Sequence, residues 1–301
     1  MNRVSGWACL CLLLLLAGCA GPAIRTDTPP QTLKIATWNL EHLAQSEGAG
    51  CRSRDASDFL ELQHYVDELD ADVIAFEEVE NAAAAARVFT PDRYTIVMSG
   101  RPESKRRGYC NRRGGIGSEL RSQKVGFAIR KGIAFTRNAD LSELALGNPD
   151  LRWGVDITLL GASPLRLLAV HLKSGCSAGS ERESCTVLFR QIPVVEQWIA
   201  ARESEGVAFA ILGDWNRRIA LSGDSVWAEL VDGRSGGAML FNSAEGRGAN
   251  CKQRFPDFID HIVLDARAAD RRIPGSFEEF TYGVPEDKHP SDHCPIAVRL
   301  R

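Results

Sequence analysis

Five short segments of this chain carry side chains that can move protons or hold a divalent ion. They are Thr37-Trp38-Asn39, Phe76-Glu77-Glu78-Val79, His171-Leu172-Lys173-Ser174, Gly213-Asp214-Trp215-Asn216 and Ser291-Asp292-His293-Cys294-Pro295. Asp260, in Phe258-Ile259-Asp260-His261-Ile262, is a further candidate. Each stands at, just after or within an apolar, strand-like run. Together they offer carboxylates and carboxamides to a hard cation and two histidines for proton transfer. That set of groups suits metal-assisted cleavage of a phosphate ester.

Asn39 ends the first apolar run, where its carboxamide oxygen can ligate a cation or act as a turn residue. Adjacent strand residues point to opposite faces, so only one of Glu77 and Glu78 faces the site; Glu78 is taken as the ligand. The same alternation puts Asp214 and Asn216 on one face beyond the strand end, with Gly213 allowing a close approach. Asp260 lies inside an apolar run, where an acid is costly without a partner, and His293 is the candidate partner. His261 points the other way and reads as structural. His171 closes the strand Leu167-Leu168-Ala169-Val170, and Pro290 and Pro295 fence the turn that carries Asp292 and His293.

The elements that position these groups are legible from periodicity. Strands are expected over residues 33–38, 72–76, 94–98, 125–129, 154–160, 165–171, 208–212, 258–264 and 296–300. Those over 154–160 and 165–171 form an antiparallel pair turning at Gly161-Ala162-Ser163-Pro164. Helices are expected over 57–69, 82–88 and 186–202, the last with Leu188, Ile192, Val195, Trp198 and Ile199 on one face. Strands outnumber helices, which fits two packed sheets with helices outside better than a regular parallel β-α repeat.

The chain has 301 residues, 44% of them hydrophobic, enough for a substantial core, and a net charge of −3. That balance argues against a wholly basic nucleic-acid binder. One stretch departs from it: Arg101, Lys105, Arg106, Arg107, Arg112, Arg113, Arg121 and Lys124 face only Glu103 and Glu119, a candidate phosphate-backbone contact.

Residues 1–18 read as an export signal, with Arg3 ahead of an apolar stretch, Leu10 to Ala17, too short to span a bilayer. Leu16-Ala17-Gly18-Cys19 resembles a bacterial lipobox, so Cys19 is the expected lipidation site. Residues 19–32, with Gly21, Pro22, Pro29 and Pro30, read as a tether, and 33–301 as one domain. The protein is therefore expected at the cell envelope, with Ala20 after the lipidated Cys favouring the outer membrane. Six cysteines remain beyond Cys19, an even count suited to disulfides in an oxidising compartment. Cys176 and Cys185 bracket one Gly/Ser-rich loop and are the expected pair. No C-x-x-C spacing suggests zinc.

With these motifs in this order, the chain resembles the endonuclease/exonuclease/phosphatase family, whose fold is that of pancreatic DNase (DNase I), from about Leu33 to Leu300. The resemblance implies an α/β fold, a four-layer sandwich of two packed mixed β-sheets flanked by helices. It implies metal ligands Asn39, Glu78 and Asp292, and a phosphate-contacting Arg152. It also implies a catalytic set of His171, Asp214, Asn216, Asp260 and His293, with Asp260 paired to His293. Where DNase-like members give the first histidine a Glu partner, the nearest residue here is Gln123.

The expected activity is that of a divalent-metal-dependent phosphodiesterase, a nuclease acting on DNA or RNA. Its ion would be Mg2+ or Mn2+, with Ca2+ as a further option, and the enzyme is expected to be a monomer with no protein partner. The alternative is a phosphodiesterase or phosphatase acting on lipid head groups, like secreted sphingomyelinases, or on small phosphoesters. Such an enzyme would show an exposed apolar loop. A third reading, a non-catalytic binding lipoprotein, would not need this full set of side chains.

Overall fold

The computed structural model describes Met1 and residues 32–103, 108–110 and 119–301. The signal, Cys19 and the tether as far as Gln31 lie outside the described residues. So do Lys105, Arg106, Arg107, Arg112 and Arg113 of the basic stretch.

Runs of β-branched and aromatic residues form twelve strands among the described residues. In chain order the elements are β1 (Leu33–Leu43), α1 (Ala56–Leu69), β2 (Val73–Val79), α2 (Ala82–Val88), β3 (Tyr94–Met98), β4 (Lys124–Arg130), β5 (Phe135–Arg137), β6 (Val155–Leu159) and β7 (Leu165–His171). There follow α3 (Glu183–Glu205), β8 (Ala208–Asp214), α4 (Ser225–Leu230), β9 (Leu240–Asn242), β10 (Asp260–Asp265), α5 (Ala266–Arg271), β11 (Glu278–Glu279) and β12 (Ile296–Leu300). The short pieces β5, β9, β11, α4 and α5 are absent from the periodicity reading, being too brief to show a period.

Two six-stranded sheets result, in the orders β11-β12-β1-β2-β4-β3 and β5-β6-β7-β8-β10-β9. Both are mixed: β1 runs parallel to β2 and antiparallel to β12, while β7 runs parallel to β8 and antiparallel to β6. Alternation divides each strand between two cores. Ile35, Val73, Ala75 and Phe127 of one sheet pack with Ile157, Leu167, Leu212 and Ile262 of the other. The outward residues of the first sheet, Trp38, Ile74 and Phe76, pack under α1 and α2. Those of the second, Leu168, Phe209 and Ile211, pack under α3, whose expected face of Leu188, Ile192, Val195, Trp198 and Ile199 is buried. The layers run helix, sheet, sheet, helix. Each large aliphatic side chain so buried contributes about 1.5–3 kcal/mol.

Gly213 shows how closely the second sheet is built. Its φ is +147°, and a Cβ there would lie 1.9 Å from the Val170 carbonyl oxygen on neighbouring β7. The close approach is that of backbone to backbone, and it sets the position of Asp214 against His171, its register partner. Gly213→Ala is expected to lower stability by about 3 kcal/mol, measured by urea unfolding, because no side-chain movement can relieve a clash with a carbonyl.

Candidate active site

The strand ends at one edge of the sandwich surround a cleft of about 740 Å3. On the first sheet, β1 and β2 both lose regular pairing as they reach it, β1 between Asn39 and Leu43 and β2 between Phe76 and Val79. Glu41, His42 and Glu78 take left-handed φ values of 42°, 54° and 60°. Glu77 keeps the inward alternation of Val73 and Ala75, and is buried with Oε1 accepting from the Thr37 hydroxyl at 3.0 Å. Regular alternation would send Glu78 outward with Phe76; the left-handed residue turns it into the cleft instead.

From the second sheet come Asp214 at the end of β8 with Asn216 just beyond it, His171 at the end of β7 and Asp260 at the start of β10. Asp260 and Asp214 are register partners. The terminal turn brings His293 over them, its Nδ1 2.7 Å from Asp260 Oδ2 and its Nε2 3.9 Å from Asp214 Oδ2. Asp214 Oδ2 also receives Asn39 Nδ2 at 3.1 Å, and its Oδ1 accepts the Asn216 amide at 2.7 Å. The turn is lashed to the end of β1. Ser291 Oγ donates to the Asn39 carbonyl at 2.6 Å, and Arg54 spans the carbonyls of Leu40, Glu41 and Pro290. The Tyr282 hydroxyl accepts from Trp38 Nε1 at 2.8 Å and donates to the His293 carbonyl.

Charge is distributed unevenly among these groups. Burial and the neighbouring Asp260 push the Asp214 carboxyl up to about 7. Burial opposes a charge on His293, but Asp260, Asp214 and Asp292 outweigh it, so its pKa is raised well above the usual histidine value. His171 goes the other way: burial, reinforced by Arg152, lowers it well below that value and keeps it neutral. Arg152 Nη2 lies 3.0 Å from His171 Nε2, and a guanidinium can only donate. Nε2 therefore accepts, the proton sits on Nδ1, and Nδ1 is buried without a hydrogen-bond partner among the described residues.

Each residue expected from sequence reaches this end of the sandwich, though not every one opens onto the cleft. Glu78, Asp214, Asn216, Asp260, Asp292 and His293 line it. Asn39, His171 and Arg152 lie behind that surface, buried. Asn39 gives its oxygen to the Glu41 amide at 3.0 Å and its N–H to Asp214, so it orients the acid. Gln123 takes the place expected of a His171 partner without touching it: it bonds His42 and Arg152. His261 is buried and bonded to Asn242 and the Arg217 carbonyl, facing away as expected.

In the basic stretch, Arg101 is buried against the carbonyls of Pro149 and Gln123 rather than presented to a phosphate, and Lys124 pairs with Glu103 at 3.0 Å. Sequence reasoning missed Glu41, His42, Arg54 and Tyr282. The first two follow Asn39 by two and three residues, a signal readable only once β1 is known to continue to Leu43 with a kink.

Asp214, Asp260 and His293 place ligand-capable atoms within 4.8 Å of one another, a possible metal site. Glu41, Glu78 and Asp292 also line the cleft. Burial and then Asp292 push the Glu41 carboxyl above the usual carboxylate range, a crowding of acids that a divalent cation relieves. This oxygen-rich set fits a hard ion. Cys251, His289 and Cys294 also cluster, but both sulfurs are joined in a disulfide.

Among the described residues three disulfides link Cys51 to Cys110, Cys176 to Cys185 and Cys251 to Cys294. The second is the expected pair and closes the turn after His171. The third adjoins His293 directly. Non-reducing peptide mapping is expected to recover all three linked peptides, and reduction to lower the thermal midpoint, since each cross-link of this kind contributes about 2–4 kcal/mol. Free thiols at Cys176 and Cys185 in protein produced under oxidising conditions would refute the pairing.

Solved structures with the same architecture include a humanized D. rerio TDP2 carrying 14 mutations, at 20% identity and a TM-score of 0.62, over 90% of this chain and 99% of that one. The AP endonuclease LMAP from Leishmania major aligns at 16% identity and TM-score 0.58, covering 91% of this chain and 89% of its own. The 3' phosphatase NExo from Neisseria, bound to a product DNA hairpin, aligns at 16% identity and TM-score 0.56, covering 89% and 99%. No protein-family sequence model and no curated protein sequence matches this chain. The fold is the DNase I-like four-layer sandwich.

Proposed function

We propose that this protein is a divalent-metal-dependent phosphodiesterase of the endonuclease/exonuclease/phosphatase family, acting as a nuclease. The observation that carries the reading is the Asp260–His293 pair set over Asp214 on the floor of a cleft whose wall bears Glu41, Glu78 and Asp292. An ion held by Glu78 and Asp292, with Glu41 beside them, would act as a Lewis acid on the phosphoryl group. Asp214, oriented by Asn39 and the Asn216 amide, has the proton affinity to hold and deprotonate a water near neutral pH. His293, kept cationic by Asp260, offers its Nε2 proton to the phosphoryl oxygens or the departing oxygen. His171, neutral and fixed by Arg152, packs beneath Asp214 with Nε2 3.4 Å from its Oδ2.

The substrate class follows from the cleft's rim and from two neighbours of like fold, an AP endonuclease and a phosphatase bound to a DNA hairpin. Tyr109 and Phe255 line the cleft and are exposed, as aromatic faces for unstacked bases are, and Lys252 and Arg218 stand among them. The lipobox-like sequence around Cys19 supports an exported, lipid-anchored form at the cell envelope. Among the described residues no helix is long and apolar enough to cross a membrane.

The soluble domain from Thr32 is to be assayed on DNA, RNA, sphingomyelin and a simple phosphate monoester, each with Mg2+, Mn2+, Ca2+ or chelator. Polynucleotide cleavage that chelator abolishes and Mg2+ or Mn2+ restores is the expected result. Activity confined to sphingomyelin would establish the head-group alternative, and full activity in chelator would end the metal reading.

A further inference from the structure

We propose that His42 is a positioning residue for Glu78. Gln123 holds it as the Nε2–H tautomer, and this polarity keeps its imidazole from ligating the cation. The inference rests on the metal-dependent reading of the cleft and concerns how that cation's oxygen ligand is set.

The direction of each hydrogen bond follows from the group that begins the series. Arg152 can only donate, and its Nη2 lies 3.5 Å from Gln123 Oε1, so the Gln123 amide turns its oxygen toward the arginine. The other end of that amide, Nε2, is then the donor 3.1 Å from His42 Nδ1. A ring nitrogen that accepts carries no proton, so a neutral His42 carries its proton on Nε2. That atom faces Glu78, 3.6 Å from Oε2. The His42 main-chain N–H donates to the same oxygen at 3.1 Å. One residue thus holds Glu78 Oε2 by its main-chain N–H and turns its ring edge toward the same oxygen, leaving Oε1 for the cation. The left-handed φ values of 54° at His42 and 60° at Glu78 are costly for residues with a Cβ. Both are needed to bring this amide, ring and carboxylate together.

The polarity has a consequence for metal choice. A bare Nε2 beside Glu78 would be a nitrogen ligand, which favours Mn2+ and the later divalent ions over Mg2+. A protonated Nε2 turns its N–H edge toward the carboxylate at 3.6 Å, an electrostatic contact longer than a hydrogen bond, and leaves an all-oxygen set. Gln123→Glu reverses the series: a carboxylate at this place accepts from Nδ1–H, which transfers the lone pair to Nε2.

The test is Mn2+ binding without substrate, by titration calorimetry and by electron spin echo detection of bound 14N. His42→Ala, which keeps the main-chain N–H, is expected to weaken Mn2+ binding about tenfold, the scale of a lost outer contact to a ligand. His42→Gln, whose amide can still donate, is expected to recover most of that loss. Gln123→Glu is expected to add a 14N coupling that disappears in the Gln123→Glu/His42→Ala double variant. An unchanged affinity in His42→Ala would overturn the proposal, as would a His42-dependent 14N coupling already present in the wild-type protein. If the wild-type protein binds no Mn2+, the metal-dependent reading and this inference fall together; binding that His42 does not affect removes the inference alone.

Discussion

The His293→Ala enzyme is expected to retain its fold and lose about three orders of magnitude in kcat on polynucleotide, within the ~10²–10⁴ range of a positioned acid or base. His293 lines the cleft, so its loss removes no core packing. What goes is the one imidazole held cationic at the reaction centre, by Asp260 at 2.7 Å. Asp260→Asn should cost less, because the ring remains and only its charge support is lost. Asp214→Asn should match His293→Ala, since Asp214 is the buried carboxylate that faces both histidines.

The pH profile separates the two. Asp214 works as a base only when ionised, and its pKa is pushed up to about 7 by burial and Asp260. Activity therefore rises as pH increases through that region, and the rise should vanish in Asp214→Asn. His293 works protonated, so its limb falls on the alkaline side, above the usual histidine value. A His293→Ala protein with near wild-type kcat would leave the proposed chemistry without its acid.

Glu78→Gln is expected to raise the Mg2+ concentration for half-maximal activity by at least about tenfold, while Glu77→Gln leaves it nearly unchanged. Glu78 opens onto the cleft, where the substitution replaces a charged ligand by a neutral one. Glu77 is buried beneath it. Burial, with Asp260 and Asp214 nearby, raises its pKa well above the usual carboxylate range. That shift favours the uncharged acid, and a glutamine of the same shape keeps a partner for Thr37. Calorimetric titration of Mg2+ into both variants decides the matter. Equal losses would mean that both carboxylates reach the ion.

Much of this molecule was already determined locally. Alternating runs specify most of the strands, and the i, i+3, i+4 pattern from Leu188 to Ile199 specifies the buried face of α3, because both depend only on which residues avoid water. Asp260 within an apolar strand demands a partner for the same reason, and His293 is that partner. Cys176 and Cys185 stand out as a pair because they bracket one loop, though six cysteines leave many pairings open and only the structure joins these two.

What sequence alone left undecided depends on backbone departures that period and propensity do not encode. Alternation cannot by itself say which of Glu77 and Glu78 reaches the cleft; the left-handed turn at Glu78 decides it, and those at Glu41 and His42 on β1 decide that these two join the site. The family resemblance puts Gln123 nearest the place of a His171 partner, yet the entry to β4 brings it to His42, 81 residues away in the chain. Arg101 reads as one of a row of exposed cations, yet carbonyls of Pro149 and Gln123 draw it into the interior. In each case the partner lies on a different strand or loop. A side chain's charge state and direction are set by groups that only the packing of two sheets brings within a few ångströms.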